Sequence, residues 1–243
     1  MHAYVENVIE KIKQSTNEQE DQMEELAQKI SESVKKGGII HILGTGHSHM
    51  IAEEIFYRAG GVLFVNPILE ANLMLHEDPV KSTRLERLPG YAKAILDGIH
   101  FKPEDTFIII SNSGRNAVPV EAALYAKERK VSTVAITSLA HSQSVDSRHE
   151  SGKKLYEVSD YVLDNKGTAG DAVLDLEDFD GKYGPTSSVI GIVLVQTLIS
   201  LIIENLAKDG IEPPLMKSAN LDSGDHQNAK LIEEYKDRIP LLK

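Results

Sequence analysis

The sequence predicts an α/β domain, a three-layer αβα sandwich around a parallel sheet, with a long helix before it and a helical tail after it. Three observations carry this. Five short apolar runs recur at 39–43, 62–66, 107–110, 131–137 and 161–163. They are continuously apolar rather than alternating, as strands buried on both faces are. Helix-like stretches at 48–59 and 117–129 follow two of the runs directly, which makes the sheet parallel and places helices on both of its faces.

The elements follow in order. Residues 3–35 read as one long helix. Val5, Ile12 and Leu26 share one heptad position and Ile9, Met23 and Ile30 another, with Thr16 and Gln19 interrupting the seam. Such a helix either lies across its own domain or packs on a second subunit. Lys35, Lys36, Gly37 and Gly38 end it with basic residues followed by glycine. Residues 67–105 hold Pro67, Pro79, Pro89 and Pro103, with a helix expected near 84–97. Residues 139–153 are polar and read as an exposed loop whose His141 and His149 are solvated. Residues 164–187 are rich in Gly and Asp and approach an apolar helix at 189–206. That helix is shorter than a membrane span and interrupted by Gln196, Thr197 and Ser200, so it reads as buried. After Pro213 and Pro214, a last helix is expected over 229–238, with Asp225 as a candidate N-cap. The expected division is an N-terminal helix at 1–35 for packing or oligomerisation, a ligand-binding domain at 36–207, and a C-terminal arm at 208–243, all in one structural domain.

Composition narrows the function classes. The chain has 243 residues, 41% of them apolar and 26% charged, and a net charge of −11. No basic block stands out, which argues against a nucleic-acid ligand. There are no cysteines, so thiolate metal sites, thiol nucleophiles and disulfides are excluded. The N-terminus lacks the basic and apolar regions of a signal peptide, and a cytoplasmic protein is expected.

Ligands of parallel sheets sit beyond the carboxyl ends of the strands, near the topological switch point. Two turns occupy such ends. The first is Gly44-Thr45-Gly46-His47-Ser48. A dinucleotide motif needs a third glycine where His49 stands, and an acidic residue where Asn66 ends the next run, so NAD is disfavoured. What remains is glycine that lets a ligand approach the backbone, a helix N-terminus, and the Ser48 hydroxyl. That hydroxyl has a simpler reading as a helix cap. The second turn is Ser111-Asn112-Ser113-Gly114-Arg115-Asn116, which opens the helix that begins near Ala117. Two such turns can converge on one anion. With hydroxyls and N–H groups and no lysine in the loop, they suit a sugar phosphate better than a nucleoside triphosphate; the Walker pattern is absent. His47 and His49, two residues apart, do not share a helical face, and no metal is expected.

These two loops resemble the signature loops of the sugar isomerase (SIS) domain family. The resemblance covers about residues 36–207. It implies a five-stranded parallel sheet with flavodoxin-like topology, a bound phosphosugar, no cofactor, and a homodimer or homotetramer with sites near subunit boundaries. Phosphoheptose isomerases are similar. By position, Ser48, Ser111 and Ser113 would contact the phosphate and Thr45 would approach the sugar, with Gly44, Gly46, Asn112, Gly114 and Asn116 completing the cradle. The chain departs from those relatives at their acid–base pair: Arg58 stands where they carry a glutamate and Gln196 where they carry a histidine. Asn116 replaces a third hydroxyl.

Proton transfer therefore needs other groups. Glu53, His47 and His226 are the candidates. Glu54 with Arg58 reads as an i,i+4 ion pair. His226, with Asp225 and Asn228 in the tail, could act on a neighbouring subunit. Ser187 and Ser188, at the start of the apolar helix, either cap it or add hydroxyls near the phosphate. The expected function is an aldose–ketose isomerase acting through an enediol. The alternatives are a phosphosugar-binding regulator without turnover and an amino-sugar-phosphate lyase or etherase.

Overall fold

A computed structural model of the chain describes residues 1–178, 180–218 and 222–243. Five parallel strands form the sheet: β1 (Ile40–Gly44), β2 (Val65–Pro67), β3 (Thr106–Ile110), β4 (Ser132–Thr137) and β5 (Tyr161–Asp164), in the order β2-β1-β3-β4-β5. This is the flavodoxin-like order, whose switch point lies between β1 and β3. Register places Gly44 beside Ile110 and Ile110 beside Ile136, so the carboxyl ends of the three central strands are level.

The strands are buried on both faces, and their residues still sort by alternation. Ile40, Ile42, Ile108, Ile110, Val134 and Ile136 enter one apolar cluster. Leu43, Phe107, Ile109 and Ala135 enter the other. The first cluster is covered by α1 (Ala3–Asn17), α2 (Glu20–Lys35), α3 (His49–Glu54) and the long α9 (Ser187–Lys208). The second is covered mainly by α5 (Tyr91–Leu96), α6 (Ala117–Glu128) and α8 (Leu155–Val158). By length and mean hydropathy α9 could cross a membrane. Here it packs against α2, α1 and α3, burying Ile190, Leu194, Val195, Leu198, Ile199, Ile202 and Leu206.

Several expected elements are corrected. The N-terminal helix is two helices, broken at Glu18 and Gln19. The Gln19 side chain is buried, and it accepts from Asp164 N–H at 2.6 Å and donates to Asp164 C=O at 2.8 Å. Its amide thus pairs with the edge strand as a neighbouring peptide would, which accounts for a polar residue in the seam. Met23, Leu26 and Ile30 are buried in the core of this chain, while Val5 and Ile9 stay exposed.

The helix expected near 84–97 is also two, α4 (Pro79–Glu86) and α5, separated by Leu88-Pro89-Gly90 with Gly90 at φ +80°. The stretch 139–153 is not simply an exposed loop. It begins with α7 (Leu139–Gln143), capped by Ser138, and its His141 and His149 are half-buried. Residues 164–187 contain an antiparallel hairpin of β6 (Ala172–Asp175) and β7 (Lys182–Pro185). The last helix, α10, runs Asp222–Tyr235, so Asp225 lies inside its first turns rather than capping it. Of the tail, 219–221 lie outside the described residues.

The arm folds back on its own domain. Met216 N–H donates to Gly61 C=O, and Leu63 N–H to Pro214 C=O, which covers the sheet edge that leads into β2. Arg238 reaches beneath the sheet to Asp105 with two contacts of 2.8 Å. Asp105 is buried and also accepts from Ile39 N–H (3.0 Å), Lys102 N–H (2.7 Å) and His41 Nε2 (3.1 Å). On the other side of the imidazole, Asn66 Nδ2 donates to His41 Nδ1 at 2.9 Å. Burial, opposed by Asp105, lowers the His41 pKa and keeps the ring neutral, with its proton on Nε2.

Candidate functional site

The two glycine–serine turns leave β1 and β3, the strands that flank the switch point. In the first, Gly44 has no room for a side chain. A Cβ there would collide with the carbonyl of Ser48, because the chain doubles back into a 3-10 turn at Gly46–Ser48. Gly46 itself sits at φ +55°. His49 Nδ1 bonds the Gly46 carbonyl and staples this turn, with Glu53 3.7 Å from its Nε2. His49 is therefore a structural histidine.

Ser48 stands at the start of α3 but its side chain makes no capping bond. Among the described residues its hydroxyl has no partner, and neither has that of Ser113. The hydroxyl of Ser111 accepts the Gly114 N–H at 3.2 Å, which tightens the second turn and leaves its own proton to donate. Gly114, at φ +58°, packs against Leu155. Asn112 is engaged by neighbouring strand ends. Its carbonyl accepts from Ser138 N–H, and its side-chain oxygen from Asn165 at 3.0 Å, joining the ends of β3, β4 and β5. Asn116 is the N-cap residue of α6 without a side-chain cap bond, so the first turn of that 12-residue helix keeps the N–H groups of Ala117 and Val118 and its positive end uncapped, Pro119 having no N–H to offer.

The sequence-derived candidates divide. Thr45 is at the cradle, and its hydroxyl donates to Glu86 Oε1 at 2.8 Å. His47 is exposed on the first turn, beside Ser48. Glu53 is exposed and faces His49. Glu54 forms the expected ion pair with Arg58 and also accepts from Gln196 Nε2 at 3.4 Å. Arg58 and Gln196 thus meet here on one carboxylate.

His226 is exposed on α10, a helix that packs against the ends of α2 and α9 remote from the loops. A groove of about 490 Å³ lies there, lined by Val34, Leu206, Leu215, Gln227 and Tyr235. The fold therefore does not bring His226 to the cradle of its own chain. That groove carries no hydroxyl–glycine turn, so the loops at the strand ends remain the candidate site.

At the start of α9, the Asp171 carboxylate accepts from Thr186 N–H (3.1 Å), Ser187 N–H (2.9 Å) and the Ser187 hydroxyl. Ser187 is therefore committed to an internal cap, and a carboxylate at that helix end repels a second anion. Ser188 is half-buried and unengaged among the described residues.

Four further groups stand at the loops that the sequence did not mark as site residues, His141 among them having been read as solvated. Glu86 joins Thr45. His141 Nδ1 lies 3.4 Å from Asn112 Nδ2; burial lowers its pKa, Asp171 opposes this and Arg115 adds to it. Arg148 Nη1 donates to Asn116 Oδ1 at 3.0 Å, and Arg115 Nε to Asp146 C=O at 2.7 Å. Arg115 alone had a visible signal, as a cation inside a glycine–serine turn of an acidic chain.

Comparison with known proteins agrees with this architecture. Residues 3–138 match the SIS domain family, a span that takes in α1, α2 and both loops. A UPF0309 protein of Geobacillus thermodenitrificans is 43% identical over 239 residues, covering 98% of this chain and 96% of its own. Among solved structures, a phosphoheptose isomerase from Neisseria gonorrhoeae superposes with a TM-score of 0.54 at 16% identity, over 83% of this chain and 96% of that one. One from Francisella tularensis gives 0.51 at 16% identity, over 83% and 95%. At that identity the superpositions speak for the fold. The parallel sheet of order 2-1-3-4-5, the paired turns at its switch point and the family match together establish that the chain belongs to the SIS domain family.

Proposed function

We propose that the chain binds a phosphorylated sugar across the two turns and isomerises it between aldose and ketose by enediol-type proton transfer. It does so as a cytoplasmic homodimer or homotetramer without a cofactor. One observation carries the binding half. Among the described residues the hydroxyls of Ser48 and Ser113 stand unpartnered on adjacent strand ends, next to the open N-terminus of α6. Two free hydroxyls and a helix end are suited to phosphate oxygens. Membership of the SIS domain family and the fold shared with phosphoheptose isomerases support the sugar half.

Enediol chemistry needs a base at the carbon next to the carbonyl and a group that stabilises charge at the oxygens. Glu86 and His47 are the groups the chain itself brings to the first turn. Glu86 uses Oε1 on Thr45, and Oε2 is left to take a proton. Glu53 stands beside the same turn through His49, and His226 would need a neighbouring subunit's cradle. The alternative of binding without turnover is favoured by one observation, the Arg58–Glu54–Gln196 group where similar isomerases keep their acid and base. A lyase or etherase acting on an amino-sugar phosphate would use the same cradle.

The test is NMR of aldose and ketose phosphates in D2O. The expected result is solvent exchange at the carbon next to the carbonyl, abolished in Glu86→Gln. Tight binding without exchange would favour the regulator. Ser113→Ala is expected to weaken a sugar phosphate by about tenfold and to leave the neutral sugar unchanged; equal loss for both would show that the turn is only structural.

A further inference from the structure

Glu86 ties the first turn to a group of cations that the phosphate cradle does not require. Arg115 sits inside the second turn. Arg148 donates its backbone N–H to the Arg115 carbonyl at 2.8 Å, and its guanidinium is fixed on Asn116 at the mouth of α6. Lys154 Nζ holds the intervening segment closed by donating to the carbonyls of Ser142 (2.7 Å) and Val145 (3.1 Å). Arg87 follows Glu86 at the end of α4. Burial, then Arg115, then Arg87 disfavour the charge on Arg148, and Glu86 alone opposes them. Arg115 and Arg148 are thus joined at the second turn, and Arg87 stands beside Glu86, whose carboxylate is bonded to Thr45 of the first.

Among the described residues, no carboxylate oxygen lies within 4.0 Å of any of the three guanidinium groups. This happens in a chain with 37 acidic against 26 basic residues, where ion-pair partners are plentiful. Arg115 and Arg148 bond only neutral oxygens, those of Asp146 C=O and Asn116, so their charge is left for an anion from outside to meet. A phosphate monoester carries about −1.5 to −2 at neutral pH, and the hydroxyls and the helix end already face it. The arginine fork matches carboxylate or phosphate with two parallel bonds.

We propose that Arg87, Arg115 and Arg148 form a second anionic subsite, so that the ligand of this cradle is a sugar phosphate bearing a further acidic group, a carboxylate or a second phosphate. This rests on the phosphosugar reading of the two turns. It gives Asn116 a role too: where similar proteins place a hydroxyl, Asn116 positions Arg148.

The test is calorimetric titration of the wild type and Arg148→Gln with fructose 6-phosphate, 6-phosphogluconate and fructose 1,6-bisphosphate. The wild type is expected to bind one of the doubly acidic ligands at least about tenfold more tightly than fructose 6-phosphate. Which one it prefers separates a carboxylate from a second phosphate. Arg148→Gln is expected to erase the preference while changing fructose 6-phosphate affinity by less than about twofold. No preference in the wild type overturns the subsite. Equal weakening of all three ligands in the variant also overturns it, placing the arginines on the single phosphate and leaving the cradle intact. Failure of the wild type to bind any of the three, or to be stabilised by inorganic phosphate, overturns the cradle itself and the subsite with it. Should Arg148→Gln not fold, Arg87→Gln, on an exposed side chain, carries the same expectations.

Discussion

Asp105→Asn tests whether the charge network beneath the sheet stabilises the fold in a pH-dependent way. Burial alone would raise the Asp105 pKa. Hydrogen bonds from His41, Ile39 and Lys102 outweigh it and hold the carboxyl at about 2, against an ordinary 3.8. The folded-state value is depressed, so the stabilisation is present above the ordinary value and is lost as pH falls from there toward the folded one. The difference in pKa corresponds to about 2 kcal/mol of linked stability. Asparagine keeps the shape but leaves Arg238, a largely buried cation, without its carboxylate. The variant should therefore unfold about 2–4 kcal/mol more easily at pH 7. It should also lack the acid-dependent loss contributed by this residue. Urea unfolding at neutral pH and at steps down through the titration reads both effects. The gap between wild type and variant should shrink by about 1 kcal/mol between about pH 5 and about pH 3, roughly half of the full linked effect. A gap that stays constant over this range would refute the reasoning, because the carboxylate would then contribute shape and not charge.

Two more perturbations test the scaffold. Gln19→Leu leaves the Asp164 N–H and C=O at the sheet edge without their partner and should cost about 2–3 kcal/mol in urea unfolding; a neutral outcome would mean that apolar packing alone docks α1 and α2. Gly44→Ala forces the first turn away from Ser48. The variant should keep its far-UV circular dichroism and lose phosphosugar binding; retained affinity would show that Ser48 does not contact the ligand.

The strands were legible because burial on both faces leaves an unmistakable record. A continuous apolar run such as Phe107-Ile108-Ile109-Ile110, set between polar loops and too short for a helix, marks a strand of a covered parallel sheet. The paired turns were legible for a related reason, since glycine beside serine at a strand end has few uses. The break at Gln19 was not, because the group that requires it lies 145 residues away on β5. No periodicity records a side chain that acts as a strand partner. The split between α4 and α5 did have a local signal in Pro89-Gly90, which outweighs the helical propensity on either side. Glu86 and Arg148 were invisible for the same reason as Gln19. Each matters through a contact across the sheet end, Glu86 with Thr45 and Arg148 with Asn116, and neither pair has a characteristic spacing.

The placement of charge argues for a division of labour between the two ends of the sheet. At the amino ends of the strands, Asp105, His41, Asn66 and Arg238 satisfy one another, and the C-terminal arm is locked down by the arrangement. Arg238 Nε is buried there without a partner among the described residues, and the position of the network beneath the sheet, away from the two turns, makes its value structural. At the carboxyl ends the opposite holds. Among the described residues the hydroxyls of Ser48 and Ser113 are unengaged, the α6 terminus is uncapped by its own Asn116, and Arg87, Arg115 and Arg148 have no carboxylate partner. Folding alone would favour pairing these groups, with 37 acidic residues available in the chain. That these groups lack carboxylate or hydroxyl partners at the switch point, while Asp105 and Arg238 pair beneath the sheet, is the stability a fold would give up to keep the proposed binding site open.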